Sequence, residues 1–293
     1  MNLALTVLEI VAPVFILAAV GFGWVRLGFE FRLEFVTRLA MTVAVPCLIF
    51  VALMETDLDP GALADLSLAA LAAYALVALL TWIALRILRL DMATYLAPLT
   101  FGNTGNLGLP LALFAFGDEG LGYAVVVFAI MAILSFTLGI RVVAGAGSTG
   151  RVLREPLLAA TVLGGLFLWQ GWETPTFLTN TLRLVGQMAI PLMLLTLGVA
   201  IARLEVRAMG RALALAALKG AICVGAAVAA QALWPLPPVA AAVLILQVAT
   251  PVAVTSYLLA AKYGRAAEPV AGLVVASTLL SVAILPLILS FVI

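Results

Sequence analysis

Long apolar runs alternate along the chain with short polar or charged segments. Most of these runs are long enough for a helix to cross a bilayer, which takes about 20 residues. The pattern predicts an all-α polytopic membrane protein with ten transmembrane helices, numbered here as spans 1 to 10. The spans lie near residues 3–26, 33–54, 64–88, 92–117, 120–144, 156–172, 177–203, 210–234, 237–262 and 267–293.

Positive and negative charges occupy alternate loops between the spans. The odd loops carry the cations Arg26, Arg32, Arg38, Arg86, Arg89, Arg141, Arg151, Arg154, Arg203, Arg207, Arg211, Lys262 and Arg265. The even loops carry the acids Glu55, Asp57, Asp59, Asp65, Asp118, Glu119 and Glu173. Because cytoplasmic loops are enriched in arginine and lysine, we expect the odd loops inside the cell and both termini outside a plasma (inner) membrane. Arg183 is an exception, which we expect at the outer interface or in an amphipathic turn before span 7.

Span 4 contains a stretch that cannot continue as a regular helix, Phe101-Gly-Asn-Thr-Gly-Asn-Leu-Gly-Leu-Pro110. Hydrocarbon cannot satisfy free backbone groups, so a broken helix in a bilayer must be surrounded by protein or water. The N–H groups freed where a half-helix begins form a site for an anion or a polar ligand. The alternative is a packing kink that brings two helices close together.

A second interruption, Gln247-Val-Ala-Thr-Pro-Val-Ala-Val-Thr-Ser256, lies at the matching place in span 9. Paired interruptions in the two halves of a chain indicate a transporter site, so we expect spans 4 and 9 to cross at their breaks. The proline in each break also leaves a carbonyl unpaired. For the amides and hydroxyls, the alternative role is hydrogen bonding between helices. The substrate-binding candidates are Asn103, Thr104, Asn106, Pro110, Gln247, Thr250, Pro251, Thr255 and Ser256.

The spacing of prolines indicates an internal repeat. Pro13 and Pro46 are 33 residues apart (46 − 13), and Pro156 and Pro191 are 35 apart (191 − 156). Each half holds five spans, and an odd number gives the two repeats opposite orientations in the membrane. The predicted organisation is a first five-helix repeat over 1–145, a cytoplasmic linker over 146–155 and a second, inverted repeat over 156–293.

Three polar residues inside or beside spans are possible accessory residues. We expect Lys219 in span 8 to extend its ammonium back to the cytoplasmic interface, with a substrate or counter-ion role as the alternative. Glu9 in span 1 fits a protonatable relay and an interfacial carboxylate equally well. Gln187 lies four residues before Pro191 on nearly the same helix face, and it could line a path near the crossing.

Composition excludes several other functions. With 66% hydrophobic and 10% charged residues, and room for no sizeable extramembrane domain, the chain must act in the membrane. A net charge of +1 spread over short loops predicts no nucleic-acid partner. Histidine is absent, the aspartates lie in loops or at span ends, and the two cysteines lie in apolar runs. We therefore predict no enzyme activity, no metal site and no cofactor, while sodium or proton coupling stays open.

Several motifs resemble the auxin efflux carrier family, whose plant members are the PIN proteins. They are Pro13-Val-Phe-Ile-Leu-Ala-Ala-Val-Gly-Phe-Gly23, Ala44-Val-Pro46, Gly102-Asn-Thr-Gly-Asn-Leu-Gly-Leu-Pro110, Ala189-Ile-Pro191 with Leu197-Gly198, and Thr250-Pro251 followed by Ala261-Lys-Tyr-Gly264. The resemblance implies a ten-helix fold shared with bile-acid sodium symporters. Spans 1, 2, 6 and 7 would form a scaffold that makes a homodimer, and spans 3–5 and 8–10 a mobile transport domain. By position, the crossover residues would be Asn103, Asn106, Pro110, Gln247 and Pro251.

The same resemblance implies small organic anions as substrates, such as malate, malonate or indole-3-acetate. We therefore expect a secondary active or potential-driven transporter with an elevator-type alternating-access mechanism. One alternative is a sodium-coupled symporter of the bile-acid type, although no acidic residue lies near Gln247. The other is a channel or facilitator whose half-helices line a pore.

Overall fold

A computed structural model describes residues 3–55, 58–144, 156–204 and 209–292. The predicted linker 146–155, Asp57 and Arg207 lie outside the described residues. The α-helices are α1 (Leu3–Arg26), α2 (Leu33–Leu39), α3 (Val45–Met54), α4 (Pro60–Ile87), α5 (Met92–Thr100), α6 (Leu109–Leu134), α7 (Ile140–Ala144), α8 (Pro156–Gln170), α9 (Thr176–Gln187), α10 (Ala189–Arg203), α11 (Met209–Gln231), α12 (Pro238–Val248), α13 (Val254–Lys262) and α14 (Ala267–Val292). Within the described ranges the regular secondary structure is helical. One isolated β-bridge between two residues is the exception.

Seven helical stretches of the described chain are long and apolar enough to cross a membrane: Leu5–Arg26, Leu33–Met54, Pro60–Ile87, Thr104–Ala144, Thr176–Arg203, Met209–Gln231 and Ala267–Val292. Two shorter apolar helices, Ala159–Gln170 and Pro238–Val248, lie within predicted spans 6 and 9. The prediction of an all-α polytopic membrane protein is thereby confirmed, whereas ten spans in two inverted repeats stay a prediction. Helix α6 runs across the predicted boundary between spans 4 and 5, and Gly117, with a φ of 64°, is the residue of α6 that departs from helical geometry.

Two of the prolines noted in the sequence follow π-helical turns. The turn Ala40–Ala44 joins α2 to α3 just before Pro46, and the turn Thr104–Gly108 leads into α6 just before Pro110. Proline has no N–H to donate to the preceding turn, and one wider turn accommodates its ring without ending the helix. A third π-helical turn, Ser135–Gly139, joins α6 to α7.

The most extensive helix contacts fall into two sets. In one set α1 packs against α10, and α3 packs against α8 and α9. In the other, α11 packs against α4 and α14, and α12 packs against α6. The α1–α10 contact is very close, because a methyl group on Gly21 would overlap the carbonyl of Leu195 and one on Gly198 would overlap the carbonyl of Ala18. Small residues permit such backbone contact between membrane helices.

Candidate functional site

The two interruptions predicted in spans 4 and 9 meet each other. Helix α5 ends at Thr100 and α12 at Val248, and the chain after each helix is non-helical for a few residues. There Gly102 forms an antiparallel bridge with Val252. The N–H of Asn103 donates to the carbonyl of Pro251 at 2.7 Å. Each break thus satisfies part of the backbone that the other exposes, as buried backbone groups require.

The crossing is close enough to need glycine at position 102. A Cβ atom on Gly102 would lie 2.9 Å from the carbonyl oxygen of Thr250 and closer still to its hydroxyl. That hydroxyl is committed elsewhere, because it donates to the carbonyl of Gln247 at 2.7 Å. Thr250 is fully buried, so it has little room to move away from a larger residue.

A cavity of about 90 Å³, which we call the crossover cavity, lies beside the paired breaks. Four predicted site residues line it, Asn103 and Asn106 from the first break with Thr255 and Ser256 from the second. The other lining residues are Thr37, Met41, Phe101, Gly102, Gly105, Phe128, Met131, Ala132, Ser135, Phe136, Leu157, Ala253 and Val254. Most of this wall is apolar, with polar groups concentrated at the breaks, as is usual in sites for small molecules.

Two helices begin at the crossover cavity. The π-helical turn that leads into α6 starts after Asn103, and α13 starts after Ala253. No side chain caps either beginning with a hydrogen bond. The first N–H groups of a helix have no partner within the helix, and the helix dipole adds roughly half a positive charge at that end. Both breaks therefore present partial positive charge to one cavity, without an arginine in its lining.

Three predicted site residues keep buried polar atoms without a hydrogen-bond partner in the described structure. They are the amide nitrogen of Asn103, the hydroxyl of Thr104 and both amide atoms of Gln247. A buried polar group usually has a partner, so each of these atoms needs an explanation. Of these three residues, Asn103 lines the crossover cavity, whereas Thr104 and Gln247 do not.

The remaining break residues lie apart from the crossover cavity. Gln247 is fully buried against Gly108, where a methyl group would come within 2.8 Å of its Cδ atom. Thr104 and Pro110 are buried in the helix that follows the first break. Thr250 and Pro251 lie on the opposite side of the second break, beside Lys219. The structure thus brings four of the nine predicted site residues to the cavity.

Lys219 does not reach the membrane interface, so the expectation of an interfacial ammonium is wrong. Its residue surface is only 2% exposed, in the middle of α11. The ammonium donates to the carbonyl of Thr250 at 3.0 Å and to the sulfur of Cys223 at 3.4 Å. The break in span 9 supplies a buried acceptor for the lysine, and this acceptor could not be located from the sequence alone.

Gln187 lines a second cavity, of about 560 Å³, that shares no lining residue with the crossover cavity. Glu55, Asp118 and Arg183 also line it, and Arg183 forms an ion pair with Glu55. These acidic residues belong to the loops predicted to lie outside. Glu9 is exposed on α1 and is not part of the lining of either cavity.

An open groove of about 1010 Å³ lies next to the crossover cavity and shares Thr37 and Met41 with it. Three arginines from the loops predicted to be cytoplasmic, Arg32, Arg38 and Arg203, line this groove. The crossover cavity therefore adjoins the predicted cytoplasmic side, through a groove that carries these three arginines together with Glu34, which pairs with Arg38.

Sequence reasoning did not identify Thr37 and Ser135 as cavity residues. Both are hydroxyl residues inside apolar runs, and this is the one signal that could have suggested them. No group of three or more histidine, cysteine, aspartate or glutamate side chains occurs in the described ranges at metal-binding spacing.

Comparison with known proteins finds two matches to one family model, which is described as membrane transport protein. The matches cover residues 6–152 and 147–289, so each half of the chain matches in turn. An uncharacterized transporter from Methanocaldococcus jannaschii is 33% identical over 112 residues, which is 34% of this chain and 35% of that protein. The similarity to that relative thus spans about a third of its length.

Proposed function

This chain belongs to the membrane transport protein family, which is the auxin efflux carrier family, and we propose that it carries a small organic anion across the plasma (inner) membrane. The proposed mechanism is secondary active or potential-driven transport by alternating access. The observation that carries the proposal is the crossover cavity, where two uncapped helices begin beside Asn103, whose side-chain nitrogen has no hydrogen-bond partner.

The chemistry of the cavity favours an anion. Helix N-termini bind carboxylates through backbone N–H groups, and hydrogen bonds to charged groups are worth about 1.5–3 kcal/mol each. Neither break contains a carboxylate that would repel an anion. A cavity of about 90 Å³ favours an acid of few carbons, such as malonate or malate, over a bile acid. Sites for drug-sized ligands are several times larger, on the order of 300–1,000 Å³.

The helix contacts support an elevator-type motion. The set formed by α1, α3, α8, α9 and α10 corresponds to spans 1, 2, 6 and 7, which we propose as the scaffold and homodimer contact. The set that contains the breaks corresponds to spans 3–5 and 8–10, which we propose as the mobile domain. In this proposal the ten spans form two inverted repeats with both termini outside. In this proposal the groove beside Thr37 and Met41 opens toward the cytoplasm, which corresponds to an inward-facing state.

A channel or facilitator is the competing function. A pore would need one continuous path, yet the crossover cavity and the 560 Å³ cavity share no lining residue. That separation favours a carrier that exposes its site to one side at a time. Counterflow in proteoliposomes distinguishes the two, because unlabelled malonate on one side drives accumulation of labelled malonate through a carrier but not through a pore.

Binding by an Asn103 variant tests the site. Asn103→Ala removes one hydrogen-bond donor, and it should weaken malonate binding by roughly tenfold or more, since about 1.4 kcal/mol corresponds to a factor of ten. Isothermal calorimetry on the purified proteins measures the affinity, and thermal melts verify that the variant is folded. Malate and indole-3-acetate are titrated alongside to compare substrate classes.

Ser67→Ala is the matched control. The Ser67 hydroxyl donates to the carbonyl of Leu63 within α4, and Ser67 is not part of the cavity lining, so the variant should bind like the wild type. A folded Asn103→Ala protein with undiminished affinity for every acid that the wild type binds would place the anion site elsewhere.

A further inference from the structure

Lys219 is a buried cation next to the crossing. It lies on α11, where α4 and α14 pack, and its residue surface is 2% exposed. In the described part of the chain no carboxylate lies within ion-pair distance of its ammonium. A charge buried in a membrane protein is costly and is usually retained for function, so this lysine needs a specific explanation.

The partners of Lys219 identify what it does. Its ammonium donates to the carbonyl of Thr250, two residues beyond the end of α12, and to the sulfur of Cys223 one turn along α11. A helix C-terminus carries roughly half a negative charge and leaves carbonyls unpaired. Lys219 therefore supplies a positive charge where the break in span 9 exposes negative ends of dipoles.

Neighbouring groups of the same break are fixed from other directions. The carbonyl of Pro251 accepts from the N–H of Asn103, and the N–H of Val252 donates to the hydroxyl of Ser277 at 2.9 Å. Three consecutive residues are thus held by α11, by the first break and by α14. Removing the Thr250 contact would leave a buried carbonyl without its cation.

We propose that Lys219 is a resident cation. Its ammonium occupies the position where a sodium ion would otherwise bind, and it thereby stabilises the break of span 9. Unwound carbonyls and half-helix C-termini are the groups that coordinate sodium in transporters of this general plan. The inference rests on the proposed function in one respect. If the protein is a carrier, a resident cation at this position makes its transport cycle independent of sodium.

The surroundings of Lys219 can accept a small cation once the side chain is removed. A gap of about 10 Å³ already lies there, lined by Thr250, Pro251, Ser277 and Ser281 among others. Truncation of the lysine to alanine adds the volume of four heavy atoms to this gap. The carbonyl of Thr250 and the hydroxyls of Ser277 and Ser281 are oxygen ligands, which suit a hard cation.

The test is a set of thermal melts of the purified protein in sodium chloride and in choline chloride at equal ionic strength. The wild type should have the same Tm in both salts. Lys219→Ala should have a lower Tm in choline chloride and should gain about 3 °C or more in sodium chloride, because a ligand that binds only the folded state raises its stability. If folded Lys219→Ala can be purified in sodium chloride but not in choline chloride, that result supports the inference even more strongly than the gain in Tm.

Three further variants separate charge from packing. Lys219→Arg should match the wild type in showing no response to sodium. Lys219→Met keeps most of the length without the charge, so its Tm should fall without a gain in sodium. Lys262→Ala removes the other lysine of the chain, which is exposed at the end of α13, and should show neither effect.

Four results would overturn the inference: a wild type stabilised by sodium over choline, a folded Lys219→Ala that ignores sodium, a Lys219→Ala that folds in neither salt, or a Lys219→Met as stable as the wild type. No organic acid is present in these melts. A negative result in these melts therefore does not bear on anion binding at Asn103. A negative result in the Asn103 binding test does not change how these melts are interpreted.

Discussion

Gly102→Ala is the sharpest test of the crossing. The new Cβ atom would lie 2.9 Å from the carbonyl oxygen of Thr250, and the Thr250 hydroxyl would be nearer still. Comfortable contact between a carbon and a neighbouring heavy atom is about 3.5 Å or more, so the two breaks must separate by at least roughly 0.6 Å. The hydrogen bond from Asn103 to Pro251, at 2.7 Å, lies directly beside this contact and would lengthen.

The expected loss of stability combines two effects. Overpacking of a filled interior costs about 1–3 kcal/mol, and weakening one hydrogen bond costs about 1 kcal/mol. A total of roughly 2–4 kcal/mol should lower the Tm by about 5 °C or more in a chain of this size. Because Asn103 moves with its own backbone, malonate affinity should fall together with stability.

Gly225→Ala is the matched control for this change. Gly225 lies inside α11, and nothing lies within 4 Å of a Cβ atom built on it. Alanine is the better helix former by about 1 kcal/mol, so this variant should be as stable as the wild type or slightly more stable. The double variant Gly102→Ala with Thr250→Ala removes the nearest clash and should recover part of the loss. A Gly102→Ala protein with wild-type Tm and affinity would refute the close pairing of the two breaks.

Two further predictions concern the ends of the helices and the orientation of the chain. Asp91 begins α5 by accepting from the backbone and hydroxyl of Thr94 at 2.8 and 2.6 Å, so Asp91→Ala should cost about 1 kcal/mol and lower the Tm by a few degrees. The hydrogen bond from the Thr94 hydroxyl lowers the pKa of Asp91 in the folded protein. The stability that Asp91 contributes is therefore complete above the unfolded pKa of about 3.9 and is lost as the pH falls through the lower folded pKa. The Tm values of the wild type and Asp91→Ala should converge at that low pH, and a constant difference would contradict this. For orientation, tags on both termini should be reachable from outside intact cells while a cysteine at Arg89 should not, and labelling of Arg89→Cys from outside would reverse the proposed topology.

The breaks were predictable because their signal is local. Three glycines, two asparagines and a proline within residues 102–110 disfavour a regular helix in the first break, and Pro251 does so in the second. The same reasoning identified Asn103, Asn106, Thr255 and Ser256, which the structure places around one cavity. Residues next to a break in the sequence are also next to it in space, so proximity along the chain sufficed.

The rest of the site depends on contacts between distant segments. Thr37 and Ser135 reach the cavity from other helices, and no spacing in the sequence relates them to the breaks. Gln247 was predicted within a break, but it lies in the last turn of α12 and packs against Gly108, outside the cavity lining. The position of Lys219 along its helix suggested the interface, whereas its environment is set by the Thr250 carbonyl from a segment 31 residues later.

The hydrogen bond between the breaks joins two main chains, and this affects how the protein can diversify. The N–H of Asn103 and the carbonyl of Pro251 are present whatever side chains those positions carry, provided that the donor is not proline. Next to this bond, Gly102 is constrained by space to one residue type. Exchanges at Asn106, Thr255 or Ser256 could therefore change which cargo is recognised while the frame that holds the cavity stays the same. If the crossover cavity binds the cargo, as proposed, new specificities are reachable by single substitutions without a new fold.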